Sequence, residues 1–218
     1  MDAFLRQSIQ KNQEEAQRLI RQKHQQRSIE ILAKSGLGKR FIKRTFQNTI
    51  TNPKNRQAIA TAKAFAKTFP SVEKGLIFMG PVATGKTHLA AAIANELIDS
   101  LYTVIFGNVT DIITLIKSSY GKTELDESEI INTITDVDLL IIDDLGKEYA
   151  TENTRMLLYQ IINRLYENEK PVIITTNLNS DALAAKYGDR GAAIVSRITE
   201  MCDPVTLDGN DWRIRRQL

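Results

Sequence analysis

Leu76-Ile77-Phe78-Met79-Gly80-Pro81-Val82-Ala83-Thr84-Gly85-Lys86-Thr87-His88-Leu89 is the stretch that decides the fold. Four apolar residues run directly into Gly80, and Leu89, Ile93, Leu97 and Ile98 continue at helical spacing, so the segment reads as strand, tight loop and helix. Residues 80–87 fit G-x-x-x-x-G-K-[ST], the phosphate-binding loop. Gly80 and Gly85 let the backbone close around phosphate oxygens, and the free N–H groups and dipole at the start of the helix favour an anion. The nucleotide-binding candidates are therefore Gly80, Pro81, Val82, Ala83, Thr84, Gly85, Lys86, Thr87 and His88. Lys86 brings a mobile positive charge to the β- and γ-phosphates, and the Thr87 hydroxyl can ligate Mg²⁺. A glycine-rich turn with an incidental lysine is the competing reading, and the strand and helix on either side weigh against it.

Outward from this loop the chain alternates strand-like runs with amphipathic helices, the pattern of a parallel sheet covered on both faces. Strands are expected at Gly75–Met79, Thr103–Gly107, Leu139–Ile142, Val172–Thr175 and Pro204–Leu207. Helices are expected at Thr87–Ser100, Thr110–Tyr120, Glu152–Glu167, Asp181–Lys186 and Ala192–Met201, with the polar stretch Gly121–Glu129 as an exposed loop. The fold class is α/β: a P-loop NTPase built as a three-layer sandwich around a mostly parallel five-stranded sheet. Leu139-Leu140-Ile141-Ile142-Asp143-Asp144 reads as a buried strand that delivers two carboxylates to the carboxyl edge of the sheet, where ligands of such folds bind. There Asp143 would hold Mg²⁺ and Asp144 would orient or deprotonate the attacking water. Ile173-Ile174-Thr175-Thr176-Asn177 ends at the same edge, so Asn177 can reach the γ-phosphate or that water, although Asn is also an ordinary turn residue.

At 218 residues the chain can hold one full α/β core and a short appendage. No apolar run is long enough to span a bilayer and no secretory leader is legible, so a cytoplasmic location is the expectation. One cysteine, Cys202, and two histidines, His24 and His88, leave metal chemistry to oxygen ligands. Residues 1–60 carry 13 Lys and Arg against 4 Asp and Glu, whereas 61–218 carry 16 against 22. A solvated surface explains the basic third, and an acidic partner such as nucleic acid explains it equally well. From Phe4 to Ala33 the helical stripe is thin, with Leu5, Ile9, Leu19, Ile20, Ile29 and Leu32 among seven Gln, so this helix needs a neighbour or a partner to cover it. Ser35-Gly36-Leu37-Gly38 then stops it and marks the main boundary.

The three elements in this order resemble an AAA+ ATPase of the ASCE type, with Asn177 at the sensor position. Ser35-Gly36-Leu37-Gly38-Lys39-Arg40-Phe41, Thr45-Phe46-Gln47-Asn48, Asp143-Asp144-Leu145-Gly146, and Tyr187-Gly188-Asp189-Arg190 followed by Ser196-Arg197-Ile198 resemble the DnaC/DnaI helicase loaders and the related IstB transposition helpers. The resemblance covers about residues 34–218. It implies a helical segment over 1–34 that docks on a helicase, and an AAA+ ATPase domain over 35–218 without a full carboxyl-terminal lid. It also implies ATP and Mg²⁺ as ligands, ATP hydrolysis, a replicative DNA helicase and single-stranded DNA as partners, a homo-oligomer when assembled with ATP, and no membrane role.

Residue by residue, the resemblance makes Arg197 the finger inserted into the next subunit's nucleotide site, with Arg190 as the alternative. Arg213 falls where a second sensor arginine would lie. Tyr120, flanked by Lys117 and Lys122, is the candidate base-stacking aromatic, with a core-edge tyrosine as an equal alternative; Phe41 and Phe46 are candidates to pack near adenine, although burial in the core is the commoner fate of a Phe. Asp144 departs from the wider pattern, in which Glu is commoner; one methylene less draws the carboxylate back by about 1.5 Å and implies slow turnover. Two other readings share this core: an IstB-like helper acting on duplex DNA, and a nucleotide-gated adaptor with little hydrolysis.

Overall fold

The apolar runs fold as five parallel strands in a computed structural model that describes residues 10–11, 13–23, 25–26, 41–118 and 127–208. In chain order the elements are α1 (Arg56–Thr68), β1 (Gly75–Met79), α2 (Lys86–Asp99), β2 (Val104–Asn108), α3 (Val109–Ser118), α4 (Glu127–Thr135) and β3 (Leu139–Leu145). They continue with α5 (Glu152–Glu167), β4 (Val172–Thr176), α6 (Ser180–Tyr187), a 3₁₀ turn over Gly188–Arg190, α7 (Gly191–Met201) and β5 (Cys202–Thr206). The sheet order is β2-β3-β4-β1-β5, every pair parallel. Pro204, which has no N–H for a ladder, is tolerated because β5 is an edge strand.

The strands are apolar on both faces because helices cover both, and the period of two divides their side chains between two cores. Leu76, Phe78, Val104, Phe106, Leu139, Ile141 and Ile173 meet α1 and α2 on one face. Ile77, Ile105, Leu140, Ile142, Val172 and Ile174 meet α3 through α7 on the other. Ala90, Ala91 and Ala94, all fully buried, bring α2 close against the sheet. This close packing fixes the loop before α2 relative to the ends of β3 and β4.

Two helices lie where none was expected. α1 buries Ala58, Ile59, Ala62, Phe65 and Ala66, a mainly alanine stripe with little apolar contrast to signal it. α4 begins at Glu127 and buries Ile130, Ile131, Ile134 and Thr135, which corrects the loop expected to run to Glu129: its acidic first turn resembles a polar loop but suits a helix amino terminus. Residues 121–126 of that stretch, the boundary at Ser35–Gly38, and residues 209–218 lie outside the described residues. The described part of the amino-terminal segment, within 10–26, is helical. It meets the domain where Gln25 Nε2 donates to the Ile98 carbonyl at 3.1 Å and the Arg21 guanidinium lies 5.4 Å from the Tyr102 ring centroid. Among the described residues no helix is long and apolar enough to cross a membrane.

Candidate nucleotide site

β1 hands the chain to the phosphate loop at Gly80, where φ is +142° and a Cβ would lie 2.1 Å from the Leu207 carbonyl oxygen, so only glycine fits. Gly85 closes the loop at φ +104° and caps α2. No acidic residue stands in the first turn of α2, so its positive end is unanswered within the helix. Pro81 and Val82 are exposed on the outer side of the loop, and Thr84 is buried with its hydroxyl donating to the Pro81 carbonyl at 3.0 Å. Ala83 takes a left-handed φ of +60°, which bends the loop between its glycines.

Lys86 is 4% exposed, and its ammonium donates to the carbonyls of Gly80 at 2.8 Å and Pro81 at 2.6 Å. Burial lowers its pKa, while Asp144 and Asp143 pull the other way by stabilising the charge. His88 directs its imidazole sideways: Nε2 lies 3.1 Å from the Thr45 carbonyl and 3.0 Å from the Thr49 hydroxyl. Its ring thus anchors the segment before α1, which leaves the backbone N–H to serve the phosphate end. Burial lowers the His88 pKa as well, so the ring is held neutral. Phe41 stacks on Phe106 with centroids 5.0 Å apart and is part of the core, whereas Phe46 is half-buried beside Lys63.

The acid pair sits on a β-bulge. Ile142 pairs with Ile174 and Leu145 with Thr176, so β3 uses one residue more than β4 across this step. Asp144 takes up the surplus at φ +54°, and the bulge re-aims its side chain relative to Asp143. One hydroxyl serves both acids. Thr175 Oγ1 donates to Asp143 Oδ1 at 2.6 Å and accepts the Asp144 backbone N–H at 2.8 Å. The Thr87 hydroxyl also hydrogen-bonds Asp143. Burial raises the Asp143 pKa against these two bonds, and the Asp144 charge adds to the rise. Asp144 pairs with Lys147 at 3.1 Å, and a cleft of ≈ 280 Å³ lined by Asn108, Asp111, Asp144, Lys147 and Glu148 opens beside it. A larger groove, ≈ 430 Å³, runs between α4 and α5.

These donors fit a nucleotide with its metal. Thr87 and Asp143 supply one hydroxyl and one carboxylate, and no group of three or more His, Cys, Asp or Glu gathers among the described residues. A small hard cation held mainly by phosphate and water needs no larger protein cage. Cys202 is buried, and burial pushes its thiol up to about 12, which favours the protonated form at neutral pH.

Asn177 is exposed just after β4, at the same sheet edge. Arg197, on α7, and Arg190, in the 3₁₀ turn before it, both contact α5: Arg197 Nη2 donates to the Tyr159 hydroxyl at 3.3 Å and Arg190 Nη2 to Glu152 at 3.2 Å. Lys117 is exposed in the last turn of α3, while Tyr120, Lys122 and Arg213 lie outside the described residues. Sequence reading missed Thr175, whose only local signal is a pair of threonines ending a buried strand. It also missed Glu148, which accepts the Tyr187 hydroxyl at 2.5 Å and the Gly146 N–H at 3.1 Å. That contact ties the loop after β3 to the helix that leads into Arg190, and burial drives the Tyr187 pKa far up.

A parallel sheet in this order, with a phosphate loop after β1 and an acid pair at the end of β3, separated from β1 by β4, defines a nucleotide-binding P-loop domain of the AAA+ type. The chain belongs to the family of IstB-like ATP-binding proteins, whose model matches residues 7–218. It is 31% identical over 205 residues to the uncharacterized protein YdaV of Escherichia coli (strain K12), covering 94% of this chain and 78% of that protein. The replicative helicase loader DnaC of the same organism is 31% identical over 133 residues, 61% of this chain and 54% of that one. Among solved structures, the DnaC helicase loader matches with TM-score 0.69 at 29% identity, covering 78% of this chain and 99% of that chain. The replication initiator DnaA bound to AMPPCP and single-stranded DNA matches with TM-score 0.65 at 29% identity, covering 77% of this chain and 50% of that one.

Proposed function

We propose that the chain is an ATP-controlled loader that delivers a replicative DNA helicase to single-stranded DNA, with ATP bound and hydrolysed at junctions between copies. The observation that carries this reading is the Lys86, Asp143 and Asp144 constellation on a domain that covers 99% of a solved DnaC helicase loader chain. On ATP binding, Lys86 exchanges the Gly80 and Pro81 carbonyls for β- and γ-phosphate oxygens. Thr87 and Asp143 are the residues that would hold Mg²⁺, and the ion would supply charge neutralisation for the phosphoryl group. Asp144 leaves Lys147 to orient the attacking water, and Asn177 steadies the γ-phosphate side of that water. Arg197 of the adjoining copy completes the site, with Arg190 as the alternative, and such a finger contributes ~10³–10⁵ in rate. In this reading the amino-terminal segment 1–34 serves to dock on the helicase, Lys117, Tyr120 and Lys122 serve as DNA contacts, and Arg213 serves as a second sensor for the nucleotide. The setting is cytoplasmic.

Two substitutions test the chemistry. Lys86→Ala is expected to abolish ATP binding, measured by titration calorimetry. Arg197→Ala is expected to leave binding intact and abolish turnover; normal turnover would refute the finger. Anisotropy with matched single-stranded and duplex oligonucleotides, with and without ATP and Mg²⁺ across a salt series, tests the substrate, because phosphate contacts make affinity salt-dependent. ATP-dependent preference for the single strand supports the loader. Duplex preference supports the IstB-like reading that the family match favours. Absence of DNA binding supports a nucleotide-gated adaptor, which the pairing of Asp144 with Lys147 favours.

A further inference from the structure

The arginine-bearing edge is organised around aromatic rings. Tyr159 projects from the middle of α5, one turn beyond Arg155 and two beyond Glu152, so all three share one helical face. The Arg197 guanidinium lies 5.1 Å from the Tyr159 ring centroid and 5.6 Å from that of Tyr166, and its Nη1 donates to the Ala193 carbonyl at 3.3 Å. The Arg190 guanidinium lies 6.0 Å from the same Tyr159 ring. Tyr166 is itself held by Glu200, which accepts its hydroxyl at 3.1 Å through both carboxylate oxygens.

The charges on this edge are answered unequally. Glu152 pairs with Arg190 at 3.2 Å and with Arg155 at 4.0 Å, whereas among the described residues Arg197 has no carboxylate within ion-pair distance. The Nε atoms of Arg155, Arg190 and Arg197 are buried without a hydrogen-bond partner. A cation held by ring faces and a phenol, rather than by a carboxylate, keeps its charge available to an incoming anion. A carboxylate in the same place would neutralise it, and a bare lysine-like tether would leave it mobile.

We propose that Tyr159 is the positioning residue for the arginine that reaches the neighbouring copy's nucleotide, seating Arg197 by its ring and hydroxyl and steadying Arg190 on the same ring. The inference rests on the reading of Arg197 as the finger. It assigns to Tyr159 no contact with nucleotide, so the residue acts only through Arg197.

The test uses the full chain with ATP, Mg²⁺ and single-stranded DNA. Tyr159→Leu is expected to lower kcat roughly 10- to 100-fold, as small misplacements of catalytic groups do. Affinity of the same copy for ATP should stay unchanged, because its own phosphate loop and acids are intact. Tyr159→Phe, which keeps the ring and loses the hydroxyl, should fall only part of the way. Turnover should return when Tyr159→Leu copies are mixed with Lys86→Ala copies, since the latter cannot bind ATP yet present an intact arginine edge. Full turnover in Tyr159→Leu, weakened ATP binding by that variant, or no recovery on mixing overturns the assignment. Normal turnover in Arg197→Ala instead overturns the underlying reading of the finger, and the two failures are thereby told apart.

Discussion

Thr175 is the smallest unit on which the acid pair depends. It is fully buried and its hydroxyl both donates to Asp143 and accepts from the Asp144 backbone. Thr175→Val keeps the volume and removes both bonds, leaving the half-buried Asp144 N–H without its acceptor at a cost of about 1–3 kcal/mol. Turnover should fall with the stability, read by denaturant unfolding and by ATP hydrolysis; unchanged turnover would show that the bulge holds Asp144 without Thr175. Asp143 gives a prediction of opposite sign for stability. Burial raises its folded pKa above the ordinary 3.8, so the protonated form is favoured by folding. That contribution is fully present below the unfolded value and is lost as pH rises through the folded one. At neutral pH the ionised Asp143 therefore strains the nucleotide-free protein. Asp143→Asn should keep or raise Tm without nucleotide while removing Mg²⁺-dependent turnover, and a lower Tm across the neutral range would contradict the sign.

At the scale of elements, α2 is gripped along one side by the segment that precedes α1. His88 holds Thr45 and Thr49, and Asn95 Nδ2 donates to the carbonyls of Phe41 at 2.8 Å, Arg44 at 2.8 Å and Ala91 at 3.0 Å. Asn95→Ala should loosen this strap first. Protease cleavage within residues 41–54 should accelerate, while the melting of the sheet shifts little; uniform sensitivity along the chain would show the strap and sheet to be one unit. The strap also illustrates what sequence reading can reach. The phosphate loop, five strands and the acid pair were legible because their signals are local: apolar runs, glycine spacing and terminal carboxylates. The partners of His88 and Asn95, the Thr175 bridge and the link from Glu148 to Tyr187 join residues more than thirty positions apart in most cases, and no local pattern announces them. α1 escaped for a different reason, since alanine marks a closely packed helix as well as an exposed one.

Over the whole molecule, the amino-terminal helix attaches at the far end of α2 from the phosphate loop, through Gln25 to Ile98 and Arg21 to Tyr102. Leu19 and Ile20 on this helix stay exposed, 52% and 57%. Replacing Arg21 and Gln25 together by Ala should speed hydrogen exchange in residues 13–23 without altering ATP affinity; a change in ATP affinity would show that the attachment reaches the loop. α2 has 14 residues, a rod of about 21 Å at 1.5 Å per residue. One end begins at Lys86, and the other carries the carbonyl that Gln25 holds. A tilt of that rod by a few degrees on filling the loop would move its far end by an ångström or so. The attached helix would then register nucleotide as a change of angle, so a partner gripping it could follow each round of the cycle without ever touching the phosphate.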